Sequence, residues 1–365
     1  MTVPGAEYEE LAHLDDLSTT GTAVSGHTNP ADYAGTTHAG LPAPPRVPGV
    51  QIDGYFPSTS STNTTHGWHH DAQFVIRLPE EWSGVLVVSG APGVRTQYAN
   101  DVAISDYVLS LGHAYAATDK GNTGVEFYTG SQRPGDAMVE WNERMTELTR
   151  AARETVEQHY GRPADEVIAA GISNGGYLVR WQLENHPELY TRGVDLEGTL
   201  WTADGPNPFM SLPPAIKGYE QQSPETIVAA GFDPASDFLW EYHYTIYWRL
   251  TQRIYTAELD PAYDGDEAEY DYAQRPAAHE ALQRIALTGR IERPLVTIHG
   301  TYDCLLPIGA NSDAYAELVR QAGRSELHTY QRVEAGNHLD GLVDAHPDRL
   351  VPLVPLLREA ISTPS

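Results

Sequence analysis

Short apolar segments alternate with longer amphipathic segments over most of the chain after residue 70. Continuous or alternating apolar runs predict strands at 73–79, 84–90, 113–118, 166–172, 193–200, 294–299 and 327–332. Apolar residues at helical spacing predict helices at 95–111, 136–159, 174–185, 309–322 and 346–361. Strands that alternate with helices are typical of α/β proteins, and here they predict a mostly parallel, doubly wound sheet with both faces covered.

Two segments depart from this alternation. Residues 1–70 are rich in Gly, Pro, Thr, Ser and His, and we expect an extended N-terminal arm that packs on the core with little regular structure. Residues 202–290 lack a clear period and are rich in aromatic residues, which predicts a lid inserted at the carboxyl edge of the sheet. Most of those aromatics are expected in the lid's own core. Residues 71–201 and 291–365 are then the α/β core.

Charge and composition exclude several classes of partner. The 365 residues contain 23 Lys and Arg against 50 Asp and Glu, a formal charge of −27. Such an acidic chain is unsuited to nucleic acid or to an anionic membrane surface. It contains no apolar run long enough to span a bilayer. We therefore expect a small-molecule substrate, while the oligomeric state stays open.

The single cysteine, Cys304, can form neither an internal disulfide nor a structural zinc site alone. The first residues lack the basic and apolar regions of a secretory signal. These features favour a cytoplasmic protein, and a secreted mature form whose signal has been removed is the alternative.

A Gly-Ile-Ser-Asn-Gly pentad at 171–175 is the strongest chemical signal. It lies between the predicted strand 166–172 and the predicted helix 174–185, so Ser173 would project from a tight strand-to-helix turn. The helix directs backbone N–H groups and its positive end towards the serine. A glycine-rich turn with an incidental serine is the alternative interpretation.

A serine nucleophile needs a base, and the base needs an orienting carboxylate. Asp303 follows the strand 294–299, and His338 follows the strand 327–332, in the order serine, acid, histidine. Asp195 competes for the acid role, but it lies inside a predicted strand rather than after one. Asp340 is interpreted as a loop-capping or salt-bridging group, and His299 as a local hydrogen-bonding group.

An acyl group attacked by Ser173 passes through a tetrahedral oxyanion, which requires fixed donors. The backbone N–H of Asn174 is one predicted donor. The second is expected from the loop after strand 84–90, with Ala91 as first choice and Gly93 as second, because Pro92 has no N–H.

Two further features have weaker interpretations. His69 and His70 are adjacent, so on an extended segment they point to opposite faces and do not chelate a metal together. Lys120 is near the predicted catalytic edge and could attract a substrate carboxylate, but an internal salt bridge is favoured. We expect no metal and no cofactor.

Four blocks in order carry a family resemblance: SGAPGVRTQYANDVAISDYVLSLGHAYAATDKGNTG, GISNGGY, LTGRIERPLVTIHGTYDCLLP and GNHLDG. Together they resemble the tannase/feruloyl-esterase branch of the α/β-hydrolases, which includes 3-hydroxybutyrate-oligomer hydrolase-like proteins. The resemblance covers roughly residues 70–345. It implies the α/β-hydrolase fold and a serine carboxylic-ester hydrolase with Ser173, Asp303 and His338 as its triad. It also implies that the insertion shapes the substrate pocket.

One departure from that branch is informative. Many members bridge a cysteine just before the serine to one just after the histidine, whereas this chain has Ile172 and Leu339 there. An apolar contact would replace the bridge, which moves weight towards the hydroxyacid-oligomer side or a specialised biosynthetic esterase.

Hydrolysis of a hydrophobic or hydroxyacid ester through an acyl-enzyme is the leading hypothesis. An acyltransferase, or a lactone- or macrocycle-forming enzyme of a biosynthetic pathway, would use the same acyl-enzyme and is the alternative. A binding module with a vestigial triad and a C–C bond hydrolase are further hypotheses.

Overall fold

The computed structural model describes residues 2–125 and 133–363. Nine strands of these residues form one sheet. They are β1 Tyr8–Leu14, β2 Gly49–Tyr55, β3 Gln73–Pro79, β4 Val85–Gly90, β5 Ala114–Thr118, β6 Glu166–Ile172, β7 Arg192–Leu196, β8 Leu295–Gly300 and β9 His328–Val333.

The sheet has the order β1-β2-β3-β5-β4-β6-β7-β8-β9. The strands from β5 across to β9 pair in parallel, while β1, β2 and β3 add to the β5 edge in antiparallel pairs. Parallel strands all end at one edge, so the loops after β4, β6, β7, β8 and β9 gather there. The predicted site residues Ser173, Asp303 and His338 lie at this edge.

The helices are short apart from one. They are α1 Thr19–Ser25, α2 Asp106–Ser110, α3 Asp136–Tyr160, α4 Asn174–Asn185, α5 Pro208–Glu220, α6 Pro224–Ala229, α7 Trp240–His243, α8 Arg249–Leu259, α9 Pro276–Gln283, α10 Ser312–Gln321 and α11 Val354–Ser362.

Helices cover both faces of the parallel sheet, as predicted. The core on one face includes buried side chains of α3, α4 and α10, and the core on the other face includes those of α2 and α11. β4 supplies both cores, since Leu86 and Val88 point to the first and Val87 to the second. This alternation explains why β4 is a continuous apolar run, because a strand buried on both faces needs apolar residues at every position.

Two predicted helices are shorter in the structure. The helix expected at 95–111 is a π-helical turn at Asp101–Ser105 that continues into α2. The helix expected at 346–361 begins only at Val354, with Pro355 in its first turn. Proline lacks a backbone N–H, so it is tolerated in a first turn and disfavoured further inside a helix.

The N-terminal segment is more regular than its composition predicts. It supplies β1 and β2, which extend the sheet, where little regular structure was expected. β2 carries buried polar side chains, among them Gln51 and Asp53, and Gln51 accepts a hydrogen bond from Arg77 at 2.9 Å. Polar groups that are satisfied by distant residues interrupt the apolar pattern by which a buried strand is recognised.

The insertion at 202–290 is helical and holds α5 to α9. Its helices break the expected period because several start at proline and because a π-helical stretch, Tyr244–Trp248, joins α7 to α8. Part of the insertion has its own core, which includes Phe232, Trp240 and Trp248. Trp248 also attaches the insertion to the sheet edge, since its indole N–H donates to the Cys304 carbonyl at 2.6 Å.

Candidate active site

The pentad forms a strained turn between β6 and α4. Ser173 has φ 58° and ψ −118°, a conformation that residues other than glycine seldom adopt. The flanking glycines make the turn sterically feasible. A Cβ at Gly171 would lie 2.3 Å from the Gly175 carbonyl oxygen, and a Cβ at Gly175 would lie 2.5 Å from the Gly90 carbonyl oxygen. The turn therefore aims the serine hydroxyl at a cleft above the sheet edge.

The structure brings Ser173, His338 and Asp303 together. Ser173 Oγ lies 3.0 Å from His338 Nε2, and His338 Nδ1 lies 2.8 Å from Asp303 Oδ2. A carboxylate can only accept, so Nδ1 carries the hydrogen and Nε2 is left free to accept the serine proton. Asp303 follows β8 and His338 follows β9, as the sequence predicted. The arrangement has the connectivity of a nucleophile, a base and an orienting acid.

Three hydrogen bonds and one further imidazole contact stabilise the negative charge of Asp303. Its Oδ1 accepts the backbone N–H groups of Leu305 and Leu306 at 2.8 and 2.7 Å. Its Oδ2 faces His338 Nδ1 at 2.8 Å and His299 Nε2 at 3.0 Å. Burial disfavours the charge, but the two imidazoles outweigh burial and lower the pKa of this carboxyl well below its usual range.

Behind Asp303, a chain of buried polar side chains determines which ring nitrogen of His299 carries the hydrogen. Ser312 Oγ accepts a hydrogen bond from Arg180 at 2.8 Å and lies 2.7 Å from His299 Nδ1. Ser312 can therefore donate its own proton to Nδ1, which leaves the hydrogen of His299 on Nε2. This nitrogen lies between two acceptors, the Leu306 carbonyl at 2.9 Å and Asp303 Oδ2 at 3.0 Å. Asp195, the competing acid of the sequence analysis, forms an ion pair with Arg180 through two 3.0 Å contacts.

Glu197 is a residue that the sequence reasoning missed. It directly follows β7, has φ 53°, and is completely buried. Its Oε2 lies 3.6 Å from His338 Nδ1, and its Oε1 accepts the Gly300 N–H at 3.2 Å. Burial and then the charge of Asp303 raise the pKa of Glu197 well above its usual range. The predicted strand 193–200 includes Glu197, whereas β7 ends at Leu196, so the apolar pattern does not show that this acid lies just past a strand end.

The predicted oxyanion donors differ in whether their backbone N–H groups already have a hydrogen-bond partner. Asn174 is the first residue of α4, so its N–H has no partner within the helix. The Ala91 N–H, by contrast, donates to the Thr118 carbonyl at 3.0 Å, and this bond continues the pairing of β4 with β5. Ala91 is therefore replaced as first choice by Gly93, whose N–H makes no hydrogen bond within the described residues and which lines the cleft.

The side chain of Asn174 joins three parts of the site. Its Nδ2 donates to the Gly93 carbonyl at 3.2 Å, and its Oδ1 accepts from the Thr199 hydroxyl at 3.1 Å. The Tyr255 hydroxyl of α8 lies 2.9 Å from Nδ2 and 3.0 Å from Oδ1. One buried amide thus connects the serine turn, the loop after β4 and the insertion.

A mostly apolar cleft of about 190 Å³ lies above Ser173 and His338. One wall is a single face of the insertion, since Tyr247, Leu250, Ile254 and Tyr255 recur at helical spacing. The apolar residues that line the cleft outside the insertion include Ile172, Leu196, Leu305, Leu339 and Val354. Ile172 and Leu339 both line the cleft. Many members of the tannase/feruloyl-esterase branch carry cysteines at these two positions.

Lys120 lies apart from this cleft, and its side chain is fully buried. Its ammonium is 5.1 Å from the centre of the Trp141 ring and has no hydrogen-bond partner among the described residues. The favoured salt bridge is therefore not observed within residues 2–125 and 133–363. Burial lowers the pKa of Lys120 to about 7, against the opposing charge of Asp119.

The remaining candidates have local contacts. His70 Nδ1 lies 2.6 Å from the Asp71 carbonyl, and its ring stacks on Tyr55 at 3.9 Å. His69 adopts φ 49° and does not line the cleft. Asp340 accepts the N–H groups of Leu353 and Val354 at 2.8 and 2.9 Å, so it caps the start of α11.

No protein-family description matches the chain, and no curated protein matches it. The fold is nevertheless similar to solved esterases. Feruloyl esterase B from Aspergillus oryzae has a TM-score of 0.62 at 13% identity, over 93% of this chain and 81% of that chain. A second Aspergillus oryzae esterase has a TM-score of 0.59 at 11% identity, over the same shares of the two chains.

A rice cell wall degrading esterase, LipA from Xanthomonas oryzae, has a TM-score of 0.54 at 13% identity over 99% of both chains. Identities this low show the fold alone. The chain has the α/β-hydrolase fold, which confirms the predicted fold class. None of the described helices is both long and apolar enough to cross a membrane.

Proposed function

We propose that the chain is a serine carboxylic-ester hydrolase that works through an acyl-enzyme. The observation that carries the proposal is the pair of short contacts from His338, 3.0 Å to Ser173 Oγ and 2.8 Å to Asp303 Oδ2. The esterases of similar fold agree with this chemistry, although one fold hosts many activities.

In the first half of the reaction, Ser173 Oγ attacks the ester carbonyl carbon while His338 Nε2 accepts the serine proton. The charged imidazole is stabilised by Asp303, which is held ionised by its own donors. The tetrahedral oxyanion is bound by the N–H groups of Asn174 and Gly93. His338 then returns its proton to the leaving alkoxide, and the acyl group stays on Ser173.

In the second half, a water molecule replaces the alcohol. His338 accepts a proton from this water as its oxygen attacks the acyl-enzyme, and the same donors bind the second oxyanion. Collapse of that intermediate releases the free acid and returns the proton to Ser173 Oγ. In each half of the reaction, His338 thus acts first as a general base and then as a general acid.

The substrate we propose is an uncharged ester with an apolar or hydroxyacid acyl group. Support comes from the apolar walls of the cleft and from its modest volume of about 190 Å³. The insertion supplies one wall, which supports a lid role for residues 202–290. Arg95 is the only Arg or Lys among the described residues that line the cleft. Its guanidinium donates to the carbonyls of Asp32 and Ala34 at 3.1 Å.

The test is a panel of esters that includes an aryl acyl-chain series, hydroxybutyrate oligomers, gallates and ferulates. We expect Ser173→Ala to abolish hydrolysis and covalent labelling by a fluorophosphonate. Ser211→Ala is the matched control, because Ser211 is buried in α5 away from the cleft and should keep full activity. Hydrolysis that persists in Ser173→Ala would refute the mechanism, and a transferred or cyclised product would favour the alternative.

A further inference from the structure

Two carboxyl groups face the same imidazole nitrogen. Asp303 Oδ2 is 2.8 Å from His338 Nδ1 and Glu197 Oε2 is 3.6 Å from it. Both side chains are completely buried. Two buried carboxylates this close repel each other strongly, so one of them is expected to hold a proton.

Their hydrogen-bond partners decide which carboxyl is charged. Asp303 receives two backbone N–H groups and faces two imidazole nitrogens. Glu197 receives the N–H of Gly300 at 3.2 Å, and its Oε2 has no hydrogen-bond partner among the described residues. Because donors stabilise the ionised form, the charge belongs on Asp303 and the proton on Glu197. Their pKa values are shifted in these same directions.

The position of Glu197 suits it to the acid role. It follows β7, which lies in the sheet between β6 and β8. Ser173 directly follows β6, and Asp303 lies in the loop after β8. The φ of Glu197, 53°, is unusual for a residue with a side chain. Such a conformation persists where the surroundings enforce it, and here it accompanies a carboxyl that lies beside the base.

We propose that Glu197 is a second acid of this site, protonated while Asp303 is present and able to orient His338 when Asp303 is absent. This inference rests on the proposed function. Without Asp303, Glu197 would release its proton to solvent, and its carboxylate would accept the hydrogen of His338 Nδ1. The distance to cover is 0.8 Å, the difference between 3.6 and 2.8 Å. Glu197 acts through His338, so it is a positioning residue.

A double-mutant cycle tests the rescue. Asp303→Ala is made in the Glu197 background and in the Glu197→Gln background, and kcat/KM is measured for the best ester of the panel. Loss of the orienting acid alone costs about 10⁴-fold in well-studied triads. We expect a loss of about 100-fold where Glu197 is present and of roughly 10⁴-fold where it is Gln. Equal losses in the two backgrounds would overturn the proposal.

A second measurement covers the case in which Asp303→Ala does not fold. The infrared difference spectrum of the unsubstituted chain minus Glu197→Gln at neutral pH should contain the C=O stretch of a protonated carboxylic acid. A carboxylate band in its place would overturn the proposal. This readout does not depend on ester turnover, so its failure is distinct from failure of the proposed function, which Ser173→Ala tests.

Discussion

Replacing Tyr255 by Phe removes the hydroxyl through which α8 contacts the side chain of Asn174. That amide also holds the Gly93 carbonyl at 3.2 Å, so it joins the two residues whose N–H groups are the proposed oxyanion donors. In Tyr255→Phe, the amide keeps its bonds to Gly93 and Thr199 but loses its attachment to the insertion. The ring remains, and with it the packing against Trp201 at 4.8 Å.

The size of the effect follows from the contacts that are lost. The hydroxyl lies 2.9 and 3.0 Å from the two polar atoms of the Asn174 amide, and the Tyr255 side chain is buried. A hydrogen bond of this kind contributes about 0.5–1.5 kcal/mol net, which corresponds to roughly 2–13-fold in rate. The donors act on an oxyanion that exists only along the reaction path, so we expect kcat to fall and KM to stay nearly constant.

Tyr272→Phe is the matched control. Tyr272 is exposed to the same extent as Tyr255, 6% for each, and its hydroxyl donates to the Ala203 carbonyl at 2.7 Å, away from the cleft. Both variants should lower the free energy of unfolding by a similar amount in urea, but only Tyr255→Phe should lower kcat. Equal effects of the two variants on kcat, or an effect of Tyr255→Phe on KM alone, would refute the reasoning.

Two further predictions concern buried groups near the sheet edge. The pKa of Lys120 is about 7 in the folded protein against about 10.4 when unfolded, so the unfolded state binds more protons between these values and stability rises with pH. Lys120→Met should therefore be more stable than the unsubstituted chain by about 4 kcal/mol at pH 7 and by much less near pH 10 in urea unfolding; a difference independent of pH would contradict this. His299→Phe removes the N–H that is shared between the Asp303 carboxylate and the Leu306 carbonyl, and it should lower kcat/KM by up to roughly 10–100-fold, the range for a hydrogen bond to a charged group. His328→Phe, at a ring that contacts Thr297 at 2.9 Å, is its control, and comparable losses in both would show a general packing defect.

The local sequence determines much of the catalytic edge. A glycine is needed at 171 because a Cβ there would lie 2.3 Å from the Gly175 carbonyl oxygen, four residues along the chain. The strand before this turn and the helix after it follow from apolar spacing over neighbouring residues. Asp303 and His338 could be placed because residues just past the ends of parallel strands lie at the carboxyl edge of the sheet. Each of these inferences uses residues close together in the chain.

The acid that faces His338 and the second oxyanion donor could not be predicted from the local sequence. Asp195 and Glu197 are two residues apart, and the sequence does not show which of them faces the base. The fold decides this, because Arg180 pairs with Asp195 while Glu197 turns towards His338. The position of Ala91 after β4 predicts an oxyanion donor, but its N–H completes the pairing with β5. Whether a backbone donor is free depends on a partner strand that is distant in the chain.

By itself, the sequence determined the α/β class, the strained serine turn and the order of the groups that meet beside it. The tertiary structure alone decided the added strands β1 and β2, the helical form of the insertion and the second carboxyl beside His338. The physical reason is the separation along the chain of the residues that determine each feature. Apolar period and turn geometry are properties of consecutive residues, whereas strand pairing, ion pairing and the protonation of a buried acid depend on groups brought together by folding.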